Sequence, residues 1–281
     1  MAGMKDIKRR IKSVGNTKQI TKAMELVSSA KLKRAKAKAE STKPYFETLY
    51  ATIEKIANSA KGVQSIFLEE RKEGNKCYIV IAGDRGLAGG YNSNILKTAV
   101  NHMDNKQENI VAIGKKSLDF FDKRGYNILD KFTGVEDLNY TDARKVANTA
   151  LEAYEKGEIN EVYLVYTKFE STLTQTPEVL KLLPLSFEQD KEHSKGEMIE
   201  FDPGEEEVLE YLVPKFMEGT IYGAIAESSA SEQGARRTAM KSATDNADDM
   251  ISKLELKYNR ARQASITQEI SEIVAGSEAL K

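Results

Sequence analysis

The residues best suited to chemistry in this chain form a glycine-rich segment, Gly83-Asp84-Arg85-Gly86-Leu87-Ala88-Gly89-Gly90. Glycines that follow a strand and precede a helix can cradle a phosphate, because backbone N–H groups then point at the ligand. The spacing here does not match GxGxxG, and Arg85 lies inside the turn. The first glycine of GxxxxGK(S/T) is missing from a second segment, Gly114-Lys115-Lys116-Ser117. Both segments therefore favour structural turns over phosphate sites.

Nucleophilic and metal-assisted chemistry find no support in the sequence either. The only histidines are His102 and His193, and no Ser/His/Asp arrangement or metal-ligand spacing surrounds them. The single cysteine, Cys77, excludes an intramolecular disulfide and fits a reducing compartment. Because it lies in the apolar run CYIVIAG, we expect a buried thiol. We therefore predict no catalytic residue, cofactor or metal.

A central segment, from about Asn75 to Asp202, alternates short apolar runs with helical patterns. The runs predict strands at Lys76–Ala82, Asn109–Ile113 and Glu161–Thr167, and an edge strand at Glu178–Leu185 that ends near Pro184. Helical patterns cover Asn92–Met103, Lys115–Arg124 and Asp142–Lys156. Strands that alternate with helices of this length indicate a βαβ arrangement with a mainly parallel sheet.

A long helix is predicted before this segment, from Met4 to about Ala60, with Pro44 inside it. Two apolar triplets step by four and three residues: Ile7, Ile11 and Val14, then Ile20, Met24 and Val27. The phase slips between the triplets, which predicts an irregular coiled coil.

A second long helix is predicted after the central segment, from about Glu205 to Lys281, with Asp202 as its N-cap. Small residues recur every four positions at Ala235, Ala239, Ala243 and Ala247. From Ala247 a seam continues in steps of four and three through Ile251, Leu254, Tyr258, Ala261 and Ser265.

The economical arrangement is an antiparallel coiled coil of the two terminal helices with a Rossmann-like α/β domain inserted between them. This predicts three domains, at 1–60, 75–202 and 205–281. The C-terminal helix exceeds its partner by ~20 residues, or ~30 Å. The C-terminal end of this helix is weakly charged and carries apolar residues, including Ile266, Ile270 and Ile273. We therefore expect a partner to enclose it.

The first 43 residues are strongly basic, with thirteen Lys or Arg against three Asp or Glu. The chain as a whole has a net charge of −1, and no aromatic residue precedes Tyr45. A basic surface facing acidic protein is therefore favoured over nucleic acid. No apolar stretch approaches the ~18 residues of a membrane span, so we predict no membrane insertion.

Both ends of the chain resemble the gamma subunit of F-type ATP synthases. Ile7-Lys8-Arg9-Arg10-Ile11 through Ile20–Val27 is similar to that family's N-terminal helix, and Gly83–Gly89 resembles its (S/G)DRGLCG segment, with alanine where many members have cysteine. Ala239–Ala247 and Tyr258–Ile270 resemble its C-terminal signature. The resemblance covers the whole chain, in the order helix, α/β, helix.

This resemblance implies a non-catalytic rotor shaft. In that family the coiled coil stands inside a hexamer of alternating alpha and beta subunits, and the foot rests on the c-ring and binds the epsilon subunit. Ion flow turns the ring, and the asymmetric shaft changes the nucleotide affinities of the beta subunits. Since no targeting peptide is present, we expect a peripheral protein on the cytoplasmic face of a bacterial membrane.

The resemblance also implies roles for particular residues. Arg262 and Gln263 match the pair that engages a beta-subunit loop, and Thr267 and Glu269 neighbour that contact. Lys22 and Met24 match the region that meets the acidic lever loops of beta.

At the foot, Phe201 and Asp202 stand where many members have Tyr-Glu facing the c-ring.

Two other functions remain as alternatives: a coiled-coil scaffold or adaptor of another assembly, and an enzyme that uses the α/β domain and dimerises through its helices.

Overall fold

The computed structural model describes residues 3–59, 65–69, 71, 74–185 and 204–278. Within these ranges the helices are α1 (Met4–Ser59), α2 (Tyr91–His102), α3 (Lys115–Asp122), α4 (Tyr140–Glu155) and α5 (Glu205–Glu278). The strands are β1 (Asn75–Ile81), β2 (Asn109–Ile113), β3 (Asn127–Phe132), β4 (Ile159–Phe169) and β5 (Gln175–Leu183). The order helix, α/β, helix is therefore confirmed.

The five strands form one sheet in the order β3-β2-β1-β4-β5. β1 pairs in parallel with β2 and β4, β2 pairs in parallel with β3, and β5 runs antiparallel to β4 at one edge. The predicted βαβ arrangement and the edge position of the last strand are confirmed. β3 was not predicted, because its sequence NILDKF contains Asp130 and Lys131 and lacks a continuous apolar run.

Both faces of the sheet are covered by helices. One face carries Tyr78, Val80 and Ile110 against α2 and α3. The other carries Cys77, Ile79 and Ile81, in a cluster with α4, the last turns of α1 and the α5 residues between Leu209 and Ile225. Burial on both faces explains the continuous apolar runs of β1 and β2.

The chain divides into two compact units. The helical unit comprises Met1–Ser28 and Arg237–Lys281, and the α/β unit comprises Ser29–Arg236. In the helical unit, α1 and α5 are antiparallel, since Thr21 Oγ1 lies 2.8 Å from Thr244 Oγ1 and Lys18 pairs with Asp248. The predicted antiparallel pairing is thus confirmed.

The seam of α1 differs from its prediction. Ile20 and Val27 are 61% and 55% exposed, whereas their neighbours Thr21 and Ser28 are buried. Buried Ile7, Thr21 and Ser28 keep a seven-residue register with partly buried Val14, so the predicted slip in phase is wrong. The physical reason is that small hydroxyl side chains fill the seam, and a search for apolar residues passes over them.

The seam of α5 agrees with its prediction from Ala247 onward. Ala247 is buried, and the five residues that follow in steps of four and three are partly buried: Ile251, Leu254, Tyr258, Ala261 and Ser265. Between Arg237 and Asn246 the buried residues are Met240 and Thr244, while Ala239 and Ala243 are only partly buried. In the described ranges, no helix combines the length and the apolar character that crossing a membrane requires.

Candidate functional site

The glycine-rich segment connects β1 to α2 and is a tightly bonded turn. Gly83 N–H donates to Asn92 Oδ1 at 2.8 Å, and Asn92 Nδ2 donates to the Arg85 carbonyl at 3.1 Å. The carboxylate of Asp84 accepts from the backbone N–H groups of Lys115 at 3.0 Å and Val135 at 2.7 Å. These bonds support the structural turn over a phosphate cradle.

α5 occupies the position where a doubly wound sheet would bind a ligand. Such ligands lie outside the carboxyl ends of the strands, where the strand order reverses, which here is between β1 and β4. At the end of β4, Ser228 Oγ accepts from Thr167 N–H at 3.2 Å, and Ser231 Oγ donates to the Thr167 carbonyl at 3.1 Å. Both serines are fully buried.

A buried ion pair of α5 closes the same crevice. Glu232 pairs with Arg236, and Arg236 Nη2 also donates to the Gly86 carbonyl at 3.2 Å. Gly83 lies so close that an added Cβ would stand 2.8 Å from the Glu232 carboxylate. Gly83 is therefore needed for α5 to pack against this turn. Burial raises the pKa of Glu232, and the adjacent Arg236 opposes that rise.

The remaining chemical candidates have structural partners. Cys77 is buried in β1, and burial raises its pKa to about 12. His102 Nδ1 lies 3.1 Å from the Tyr78 hydroxyl, and its ring packs edge-on against Tyr163. His193 lies outside the described residues. In the described part of the chain, no three or more His, Cys, Asp or Glu side chains form a group that could hold a metal ion.

The predicted beta-binding residues of α5 share one exposed segment. Arg262, Gln263, Thr267 and Glu269 are all exposed, and Glu269 accepts a hydrogen bond from Ser265 Oγ at 3.2 Å. Between Arg262 and Ser277 every position is exposed except Ser265, which is partly buried. Four of the exposed residues are large and apolar, and their spacing puts them on one face: Ile266, Ile270, Ile273 and Val274.

The predicted contacts of α1 lie elsewhere along the helical unit. Lys22 is exposed and its Nζ pairs with Glu25 Oε2 at 3.0 Å, whereas Met24 is partly buried. Because Thr21 lies opposite Thr244, Lys22 is separated from Arg262 by roughly 27 Å along the pair. The structure therefore brings together the four predicted residues of α5, but not these with Lys22 and Met24. The predicted foot residues Phe201 and Asp202 lie outside the described residues.

Several exposed and buried residues were missed by the sequence analysis. Exposed Leu26 joins Ile20 and Val27 as an apolar surface of α1. Glu232 and Arg236 carried a usable signal, since the i, i+4 spacing of opposite charges amid small residues indicates a pair on one helix face.

Comparison with known proteins assigns the chain to a family. A family model described as ATP synthase matches residues 3–280. An ATP synthase gamma chain from Alkaliphilus metalliredigens is 53% identical over 286 residues, covering 99% of both chains. This chain belongs to the ATP synthase gamma-chain family. A relative from Acetobacterium woodii, described as a sodium ion specific ATP synthase gamma chain, is 45% identical over 297 residues and covers 99% of this chain and 98% of its own.

Solved structures share the fold. A chain in the mitochondrial ATP synthase of Euglena gracilis, described as OSCP/F1/c-ring in rotational state 3, has a TM-score of 0.73 at 21% identity. The match covers 99% of this chain and 94% of that chain. Another, from the rotor of the same organism's enzyme in rotational state 1, has a TM-score of 0.68 at 20% identity, covering 94% and 98%.

Proposed function

We propose that this chain is the central rotor shaft of an F-type ATP synthase. Its helical unit turns inside a hexamer of alternating alpha and beta subunits, and its rotation couples ion flow through a c-ring to ATP synthesis or hydrolysis on beta. The observation that carries the proposal is the end of α5, which is exposed along its length and bears an apolar stripe in a gamma-chain family member. An exposed apolar stripe of this kind marks a surface that binds another protein.

The exposed residues of the helical unit supply the contacts with the hexamer. Arg262 and Gln263 engage a beta-subunit loop, with Thr267 and Glu269 beside them. Lys22 and Met24 meet the acidic lever loops of beta, and the basic character of the first 43 residues suits that contact electrostatically.

The other end of the chain contacts the remaining partners. We propose that the α/β part binds the epsilon subunit and rests on the c-ring, with Phe201 and Asp202 at that contact. The corresponding division of the chain is 1–60, 75–202 and 205–281. The protein is peripheral, on the cytoplasmic face of a bacterial membrane.

The chain itself supplies no catalytic group in this proposal. Its Rossmann-like sheet has no room for a nucleotide at the usual position, because Ser228, Ser231 and the Glu232–Arg236 pair fill it. These contacts also argue against the alternative of an enzyme that uses the α/β domain. Membership of the gamma-chain family argues against a scaffold of an unrelated assembly.

Reconstitution tests the proposal. Adding this chain to purified alpha and beta subunits should convert a weakly active mixture into a stable ATPase complex, measured by gel filtration and phosphate release. Unchanged assembly and unchanged hydrolysis would contradict the shaft function. Micromolar ATP binding by the isolated chain would instead support the enzyme alternative.

The end of α5 is tested separately by Arg262→Ala and Gln263→Leu. Both side chains are exposed, so each change should alter the free energy of unfolding by less than ~0.5 kcal/mol. Turnover by the reconstituted complex should nevertheless fall, because a contact with beta is removed. Lys257→Ala, at another exposed position of α5, is the matched control and should leave turnover unchanged. Turnover at the unaltered rate in both test variants would remove this pair from the contact.

A further inference from the structure

One side chain of the α/β unit holds both long helices at once. Glu136 lies in the connection between β3 and α4. Its Oε1 accepts a hydrogen bond from Gln233 Nε2 of α5 at 2.7 Å, and its Oε2 pairs with Lys31 Nζ of α1 at 2.5 Å. All three residues belong to the α/β unit, so this is a contact within one compact body.

The connection that carries Glu136 is itself firmly anchored. On one side, Val135 is buried and its N–H donates to the Asp84 carboxylate at 2.7 Å. On the other side, Leu138 is buried and its carbonyl accepts from Lys38 Nζ at 3.0 Å. Asn139 then caps α4 in a capping box. A carboxylate held on both flanks can transmit a lateral force.

Hydrogen bonds matter at this place because the neighbouring apolar contacts do not prevent the helices from sliding along the sheet. Hydrophobic burial opposes separation of the helices from the sheet, but it is non-directional and permits sliding. A hydrogen bond weakens steeply when its angle or distance changes, so it opposes sliding. Gln233 is buried, so its side chain stays beside Glu136.

We propose that Glu136 is a positioning residue that makes α1 and α5 turn as one body with the α/β domain. The inference rests on the proposed function, since only a shaft under torque needs the contact. The ion pair itself is partly exposed, with about two-fifths of the Glu136 and Lys31 side chains accessible to solvent. Its loss therefore leaves the fold intact and increases the movement of the helices against the sheet.

The experiment measures that movement in the full chain, first by itself and then in the assembled complex. Spin labels are placed at Arg34→Cys on α1 and at Lys123→Cys beside α3, both exposed positions of the α/β unit. Cys77 is buried and does not compete for label. Pulsed electron paramagnetic resonance then gives the distribution of label distances, and ion pumping per ATP hydrolysed is measured on the same complexes.

Glu136→Ala should broaden the distance distribution, with about a fivefold larger population of displaced conformations, or ~1 kcal/mol at 25 °C. Pumping per ATP should fall with it. Asp137→Ala is the matched control and should change neither quantity, because the exposed Asp137 carboxylate makes no hydrogen bond or ion pair with the residues the structure describes.

Rescue separates positioning from general damage. Glu136→Lys and Lys31→Glu should each broaden the distribution, and the double variant should narrow it again, since the ion pair is restored with reversed charges. The Gln233 amide can rotate to accept from the new lysine. An unchanged distribution in Glu136→Ala, or a failed rescue, would overturn the proposal. Failure of the unaltered chain to activate alpha and beta would instead refute the shaft function, and the distance measurement does not depend on that result.

Discussion

The two units of this chain are stabilised by different chemistry. The α/β unit buries large aliphatic and aromatic side chains on both faces of its sheet, such as Ile79, Phe121 and Tyr154. The buried residues described in the helical unit are fewer, and half of them carry a hydroxyl: Ile7, Thr21, Ser28, Met240, Thr244 and Ala247. Burying a large apolar side chain contributes about 1.5–3 kcal/mol to the free energy of unfolding, whereas the net contribution of a hydrogen bond is about 1 kcal/mol.

This difference shows how the units divide the work in the proposed shaft. The α/β unit is stable through its own core. The helical unit exposes several large apolar residues, among them Ile20, Val27 and Ile270. Further apolar burial therefore comes from the subunits around it, and its small seam residues let the two helices approach closely.

The largest effect is expected in the α/β unit at Gly114. This residue has φ of 89°, and an added Cβ would stand 2.0 Å from the Ala82 carbonyl oxygen. Gly114→Ala should lower the free energy of unfolding by about 4 kcal/mol, from backbone strain and steric overlap together. Urea unfolding followed by circular dichroism measures it.

Gly125→Ala provides the control for Gly114. Its φ is 73°, but nothing lies within 4 Å of the added Cβ, so only the strain remains, at about 1 kcal/mol. Equal losses in the two variants would mean that the approach of Gly114 to Ala82 contributes nothing.

Ion pairs give the next largest contrast. Arg236→Met leaves buried Glu232 without its cation and should lower the free energy of unfolding by about 3 kcal/mol. Lys18→Met removes the ion pair with Asp248 in the helical unit, whose side chains are 39% and 51% exposed. This change should lower the free energy of unfolding by less than ~1 kcal/mol. Thermal unfolding of both variants tests the difference. Losses of similar size would abolish the distinction drawn between the units.

The smallest effect is expected at the seam of the helical unit. Thr21→Val removes the hydrogen bond to Thr244 and should lower the free energy of unfolding by about 1 kcal/mol. The loss is small because Thr244 Oγ1 still donates to the Met240 carbonyl. A double-mutant cycle with Thr244→Val isolates the pair, and the double variant should recover part of the loss. Strict additivity of the two single losses would show that the hydroxyls do not stabilise each other.

Much of the fold could be predicted from apolar patterns in the sequence. β1, β2 and β4 were found because burial on both faces requires continuous apolar runs. β3 was missed because, at the other edge of the sheet, its side chains are exposed or only partly buried, which permits Asp130 and Lys131.

The patterns failed where buried residues are polar. Ile20 and Val27 were placed in the seam that Thr21 and Ser28 occupy, since apolar residues meant for a partner are indistinguishable from residues meant for the chain's own core. The exposed end of α5 was predictable from its excess length. The contact of Glu136 with Gln233 joins residues 97 positions apart, and no local spacing reveals such a pair.

A rotor shaft must rotate while beta subunits hydrolyse ATP. The most direct measurement immobilises a complex reconstituted from alpha, beta and this chain, with a gold bead attached at Lys123→Cys. Dark-field microscopy during ATP hydrolysis should show rotation of the bead in one direction in three main steps per turn, one for each beta subunit. Sustained hydrolysis with a stationary or randomly fluctuating bead would contradict the rotor function.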